Sequence, residues 1–188
     1  MFACINRVVV WFAAFLILAS SNSLVADTAT PRKFPLPARG SIQMSVPSNW
    51  DDQLRQPPQA LPPTINFRAR QGKSFEVLVT PLWQIGADTP PSTKDAIRQT
   101  VQKAADDAKG QAVEKTIPVI ELSGAAGPGF YFSATDKSAK PGEYKYMIQG
   151  MLKVSDLTVT FTILTNDGQE RVRQDALTMI KSAVHVQP

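Results

Sequence analysis

Apolar and polar positions alternate with period two along much of this chain. Ile42, Met44 and Val46 alternate with Ser41, Gln43 and Ser45 before Pro47, which predicts a half-buried strand. From Thr64 to Arg70, Ile65, Phe67 and Ala69 share one side while Asn66, Arg68 and Arg70 share the other. Ser74 to Thr80 repeats the pattern with Phe75, Val77 and Val79. Pairing Arg70 with Ser74 across a loop centred on Gly72 sets Phe67 opposite Val77 and Arg68 opposite Glu76, so both faces match and a hairpin is predicted. The clearest alternation joins Tyr144–Val154 to Leu157–Thr165 through Ser155-Asp156. That turn sets Val154 against Leu157, Leu152 against Val159 and Ile148 against Ile163. Gly150 then leaves room beside Phe161, while Lys153 and Gln149 face Thr158 and Thr162.

Helical spacing appears twice. Ser92-Thr93-Lys94-Asp95 resembles a capping box, and Ile97, Val101, Ala104, Ala105 and Ala108 recur on one face until Gly110. The alanine-rich stripe predicts a helix lying close on a sheet. A final helix, capped by Asn166 or Asp167, carries Val172, Leu177, Ile180 and Val184 as its buried stripe. Between the helices, Ile117–Leu122 and Phe130–Thr135 read as strands joined by the glycine- and proline-rich run 123–129. Residues 47–63, with Pro57, Pro58, Pro62 and Pro63, read as a long connection or insertion that Asn49 and Trp50 enter. The expected class is α+β: an antiparallel sheet of six or seven strands, with the central and C-terminal helices packed on one face. The other face, lined by Arg68, Glu76, Lys145, Gln149 and Thr160, is expected to be partly open.

Ahead of the domain, the apolar run Val8–Ala19 follows Arg7 and is too short for the roughly 20 residues of a membrane span. Residues 1–26 therefore read as a signal peptide cut after Ala26, and no cysteine follows the apolar core to carry a lipid. The expected location is the periplasm or the medium, with no integral membrane segment after cleavage. Residues 27–40 hold Pro31, Pro35 and Pro37 among Arg32, Lys33 and Arg39 and read as a proline-rich linker. Residues 41–188 form the single domain.

The strand leading into Val46-Pro47-Ser48-Asn49-Trp50, the hairpin after it, the central helix, the turn at Leu122-Ser123-Gly124 before Phe130-Tyr131-Phe132, and the closing strand-hairpin-helix resemble the PsbP-like superfamily. That superfamily includes the extrinsic photosystem II subunit and the Mog nuclear-import factors. The resemblance covers about residues 41 to 186 and implies a compact antiparallel sheet between helices, used as a binding or assembly module without a shared chemistry. The photosystem members act beside a metal cluster through termini and surface histidines, a role that a chain with His185 alone does not match. The Mog members act inside cells, where a secreted chain is not placed.

Composition adds exclusions. The 188 residues are 43% hydrophobic and 19% charged, which excludes collagen-like, coiled-coil and wholly disordered chains. Cys4 is the sole cysteine and precedes the expected cleavage, so no disulfide, thiolate metal site or cysteine nucleophile is expected. Loss of Arg7 leaves a net charge of about +3 on the mature chain, with no basic cluster longer than Arg32-Lys33, so no nucleic-acid partner is expected.

Candidate chemistry is sparse. A single His cannot assemble a metal site or a sound Ser-His-Asp triad at a chain terminus, and His185 reads as an exposed or cap-adjacent residue closing the last helix. The run 124–129 precedes a strand, not the helix and Lys-Ser/Thr pair that a phosphate loop requires. Asp51-Asp52 and Asp106-Asp107 lack calcium-loop spacing, and Asp136–Glu143 reads as a charged hairpin tip. No catalytic, cofactor-binding or metal residue is assigned. Trp50 and Trp83 read as core plugs or as contacts for a ligand or partner. Arg68, Arg70, Lys145 and Lys153 form a basic stripe if their strands are neighbours, with Glu76 opposite Arg68 weakening it.

The leading expectation is a secreted non-enzymatic binding or assembly module for a protein or small-molecule partner. The second is a small-ligand carrier using space between the sheet and the proline-rich loop near Trp50 and Trp83. The third is a carboxylate-based periplasmic hydrolase, which would need two carboxyl groups about 5 to 10 Å apart with one pKa raised.

Overall fold

A computed structural model describes residues 28–58, 61–83 and 93–188. The expected signal peptide, Cys4 and Ser92 lie outside the described residues. The elements are β1 (Ala29–Pro35), β2 (Ser41–Pro47), β3 (Trp50–Arg55), β4 (Thr64–Ala69), β5 (Glu76–Leu82), α1 (Lys94–Ala108), β6 (Ile120–Gly124), β7 (Gly127–Thr135), β8 (Tyr146–Val154), β9 (Leu157–Thr165), α2 (Glu170–Lys181) and β10 (Val184–Val186). Seven strands form one antiparallel sheet in the order β3-β4-β5-β9-β8-β7-β6, and β1-β2-β10 form a second. The class is α+β.

The registers read from alternation hold at every position described. Phe67 pairs with Val77 and Arg68 with Glu76. Val154 pairs with Leu157, Leu152 with Val159, Gly150 with Phe161, Gln149 with Thr162 and Ile148 with Ile163. One face of the large sheet carries Ile65, Phe67, Val77, Val79, Ile148, Leu152, Val159, Phe161 and Ile163, packed against Ile42, Met44 and Val46 of β2 and Ala176, Met179 and Ile180 of α2. Phe34 of β1 meets Phe67 edge-on, with ring centroids 5.6 Å apart. The opposite face receives α1, whose Ile97, Val101 and Ala105 pack on Phe130, Phe132 and Ala134. The helices thus lie on opposite faces of the sheet.

Other elements depart from the sequence pattern for identifiable reasons. The expected linker 27–40 contains β1, paired with β2 along its length, and Phe34 and Leu36 are buried. Its prolines are tolerated because β1 is an edge strand that need not donate along its outer side. Within 47–63, β3 pairs with β4 from Trp50 to Arg55; its mostly exposed, charged side chains suit a second sheet edge and hide its strand character. The run 123–129 is mostly strand, with Gly124 opposite Gly127 and Leu122 opposite Gly129. A Cβ at Gly124 or Gly129 would come within 3 Å of the Leu152 side chain, so these glycines admit Leu152. Helix α2 is capped by Gln169 without a side-chain bond, because Asn166 and Asp167 are engaged elsewhere. It ends at Lys181, which places Val184 in β10, and the buried face is Ala176, Met179 and Ile180, with Val172 and Leu177 half-buried.

His185 is not a frayed terminal residue. It lies in β10 opposite Ile42, and its side chain is 1% exposed. Nδ1 is 2.6 Å from Asp156 Oδ1 and Nε2 is 2.6 Å from the Arg39 carbonyl oxygen. A ring carrying both N–H groups donates to both, tying the C-terminal strand to the β8–β9 turn and the β1–β2 turn. Burial pushes the Asp156 carboxyl up, but the His185 hydrogen bond, with the nearby Arg39 charge, outweighs it and holds the group below its ordinary value.

Two predictions follow from this packing. A Cβ on Gly150 would lie 2.5 Å from both the Phe130 carbonyl oxygen and Phe161 Cζ; Gly150→Ala should therefore cost about 1–3 kcal/mol, read as a lowered midpoint in urea unfolding. Because the Asp156 carboxyl is depressed in the folded state, its contribution is present above its unfolded value of 3.8 and is lost as pH falls through the folded value. The stability gap between wild type and Asp156→Asn should be fully present at about pH 5 and shrink as the pH falls below about 4, as measured by urea unfolding across that range.

Candidate functional site

On the face that α1 covers, paired positions run across the sheet in rows. Ala134 pairs with Met147, Met147 with Leu164, Leu164 with Glu76, and Glu76 with Arg68. Helix α1 crosses over β7 and β8, and its C-terminal half stands above this row. Ala104, Ala108 and Ala112 pack there with methyl groups alone, and Ala134 offers no more from below, so the contact between helix and sheet is narrow and leaves space open beside it. The result is an open groove of about 490 Å³, floored by Ala134, Met147 and Leu164 and rimmed by Gln111, Asp107, Asp136, Tyr144, Lys145 and Gln149. That volume falls within the range of about 300–1,000 Å³ typical of small-molecule sites.

A second, more polar cleft of about 550 Å³ adjoins it. Three turns form it: the β4–β5 turn with Lys73 and Ser74, the β7–β8 tip with Lys140 and Glu143, and the β9–α2 turn with Asn166 and Asp167. Gln169 ties the β4–β5 turn to the β9–α2 turn. This buried side chain accepts from the Asn166 N–H at 2.7 Å and donates to the Lys73 and Ser74 carbonyls at 3.2 and 3.1 Å. Asn166 Oδ1 in turn accepts from the Lys145 N–H at 3.0 Å. Lys145 lines both cavities. Its ammonium lies 3.1 Å from both Asp167 oxygens, and Tyr146 donates to Asp167 Oδ1 at 2.6 Å. These bonds hold the Asp167 carboxyl below its ordinary value and raise Lys145.

The residues named from sequence are dispersed. Trp50 is 3% exposed and stacks obliquely on Phe75 at 4.6 Å, as a core residue does. Trp83 is half-buried against the same core. Arg68 bridges Glu76 at 3.6 Å and Arg70 bridges Asp51 at 2.8 Å. Since β5 and β9 separate β4 from β8, no stripe forms, and Lys153 sits at the far end of β8 from Lys145. Of these, Lys145 lines the two cavities described above. Sequence reading named Lys145 and Gln149 on the open face, Asp107 and Asp136 as solvated or turn charges and Ala104 and Ala108 in the helix stripe, but did not bring them together and did not single out Lys73 or Lys140. The usable signals were the alanine stripe of the helix and the lysines flanking the turns at Gly72 and Pro141-Gly142.

Two carboxylates, Asp107 and Asp136, do line one groove. Asp107 is 67% exposed and paired with Lys103 at 2.7 Å, and Asp136 accepts from the Ser138 N–H at 2.8 Å and the Ser138 hydroxyl. Both are committed to solvent or to a turn, unlike the sheltered acid that glycoside hydrolysis requires. Among the described residues, no group of three or more His, Cys, Asp or Glu is placed to hold a metal, and no helix is long and apolar enough to cross a membrane.

No protein-family model matches the chain, and no curated protein matches it by sequence. Solved structures do share its fold. Cyanobacterial PsbP (CyanoP) from Synechocystis sp. PCC 6803 matches with a TM-score of 0.51 at 12% identity, over 90% of this chain and 99% of the other. LpqN, described as involved in cell envelope biogenesis of Mycobacterium tuberculosis, matches with a TM-score of 0.50 at 14% identity, over 85% and 90%. A protein of Bacteroides thetaiotaomicron VPI-5482 matches with a TM-score of 0.53 at 13% identity, over 83% of this chain; this chain spans about half of its length, 48%. The fold is PsbP-like.

Two of the turns around the polar cleft depend on Gln169. Gln169→Ala removes three hydrogen bonds and leaves buried backbone groups unpaired, so it should cost about 2–3 kcal/mol in urea unfolding, with faster amide hydrogen exchange confined to residues near 73–74 and 166.

Proposed function

We propose that this protein is a non-catalytic binding module whose working surface is the groove between α1 and the row Ala134–Met147–Leu164. The observation that carries the reading is the groove itself: an open space of about 490 Å³ with an apolar floor, beside a helix whose last turns touch the sheet through alanines alone. A helix that served only to cover the sheet would close this gap with larger side chains, because unfilled apolar space costs packing energy. The polar groups on the rim give orientation to a bound apolar group without supplying a nucleophile or a paired acid and base.

The N-terminal apolar run supports export, and the fold shared with LpqN, a protein described as involved in cell envelope biogenesis, is compatible with an envelope or extracellular setting. This reading joins the expected binding module to the expected small-ligand carrier but moves the pocket. It lies beside α1, not beside Trp50.

The uncharged dye N-phenyl-1-naphthylamine, whose fluorescence rises in apolar sites, tests it. The mature protein should bind the dye with micromolar affinity. Gln111→Trp, which fills the groove from an exposed wall position, should abolish the enhancement without lowering thermal stability. Absence of enhancement, or enhancement unmoved by Gln111→Trp, would overturn the reading.

A further inference from the structure

The two cavities meet at Lys145, and their chemistry differs. Carboxylates Asp107 and Asp136 border the apolar groove, so the part of a ligand lying there is favoured when it carries no negative charge. In the adjoining cleft the balance reverses. Lys73, Lys140 and Lys145 line it against Glu143 and Asp167, and both carboxylates are already engaged. Asp167 is bound by Lys145 and Tyr146, and Glu143 accepts from the Lys140 N–H at 2.8 Å within the hairpin tip. Lys73 Nζ reaches only the Asp167 main-chain oxygen, at 3.4 Å. The Lys140 ammonium has no partner among the described residues. Neither ammonium forms an ion pair with a carboxylate, although the Lys73 charge acts on Asp167 from nearby, and Gln169 fixes the turn that carries Lys73.

We infer that the ligand is an anionic amphiphile: an uncharged apolar chain or ring in the groove beside α1, joined past Lys145 to an anionic headgroup between Lys73 and Lys140. The inference rests on the groove reading above and adds the headgroup. An ammonium presents hydrogen bonds to phosphate or carboxylate oxygens as a compact charge, and Lys73 and Lys140 both line the cleft. A phosphate and a carboxylate headgroup share this chemistry, and direct comparison of the two separates them.

The test uses the mature protein and four soluble probes, each below its micelle concentration, in displacement of N-phenyl-1-naphthylamine: dodecyl phosphate, dodecanoate, dodecyl maltoside and dodecyltrimethylammonium. The anionic probes should displace the dye about tenfold more tightly than the neutral one, the cationic probe should be weakest, and added salt should narrow the difference. The tighter of the two anions identifies the headgroup. Paired substitution Lys73→Gln and Lys140→Gln should weaken the anionic probes about tenfold while leaving dye binding unchanged. If all four probes displace equally and Gln111→Trp abolishes all four, the groove stands and the anionic class is overturned. If Gln111→Trp and Ala108→Trp, both folded by their melting curves, leave displacement intact, the groove and the inference fall together. If inorganic phosphate alone binds as tightly as dodecyl phosphate, the apolar part contributes nothing and the amphiphile is overturned.

Discussion

The register of β9 against its two neighbours is the constraint on which the rest of the molecule depends. Strand β9 lies between β5 and β8 and pairs with both along nearly its full length. Its Leu157, Val159, Phe161 and Ile163 are at most 2% exposed, and each is worth roughly 1.5–3 kcal/mol of burial. Side chains alternate strictly along a strand, so a slip of one residue would turn all four away from the core. The same constraint places Leu164 between Glu76 and Met147, and so builds the groove floor on the opposite face. Core and site are two sides of one register.

Much of that register was legible in the sequence because both hairpins contain their own partners. Facing positions in 64–80 and 144–165 match in chemistry across short turns, which leaves one alignment. Helix α1 was legible for a similar local reason, since Ile97, Val101 and Ala105 recur at helical spacing and all three are buried. What the sequence concealed depends on distant partners. The prolines of β1 suggest a tether until β2 is seen to shield its inner side. The charged stretch of β3 reads as loop because Arg32 of β1 pairs with Asp52, and Arg70 with Asp51, only after folding. His185 is separated from Asp156 and Arg39 by 29 and 146 positions, beyond any local pattern.

The candidate site was the least legible part, and strand order explains why. Residues 76, 134, 147 and 164 become one row only when β5, β9, β8 and β7 lie side by side, and alternation within each strand carries no information about that order. The expected basic stripe does not form for the same reason: Arg68 and Lys145 share a face but have two strands, β5 and β9, between them. The alanines of α1 were correctly read as a sign of close approach to the sheet. That reading applies to Ala105, which is fully buried, whereas Ala104 and Ala108 extend the stripe past the large side chains of Phe130 and Phe132. Beyond those rings the facing residue is Ala134, and two small surfaces leave a space.

Stability and recognition are thereby assigned to different faces. The face beneath β2 and α2 holds the larger core, in which rings and branched chains interlock, and its integrity does not depend on what occupies the groove. The α1 face holds only a small cluster around Phe130 and Phe132, enough to seat the first turns of the helix on the sheet. Apolar surface left beside the last turns remains wet in the free protein, and a ligand that covers it gains the hydrophobic contribution that the chain does not take for itself. Because the floor is a row of a rigid sheet, that contribution is not offset by the cost of ordering a loop. A shallow groove on so firm a base can bind and release without disturbing the fold, which suits the binding module proposed above.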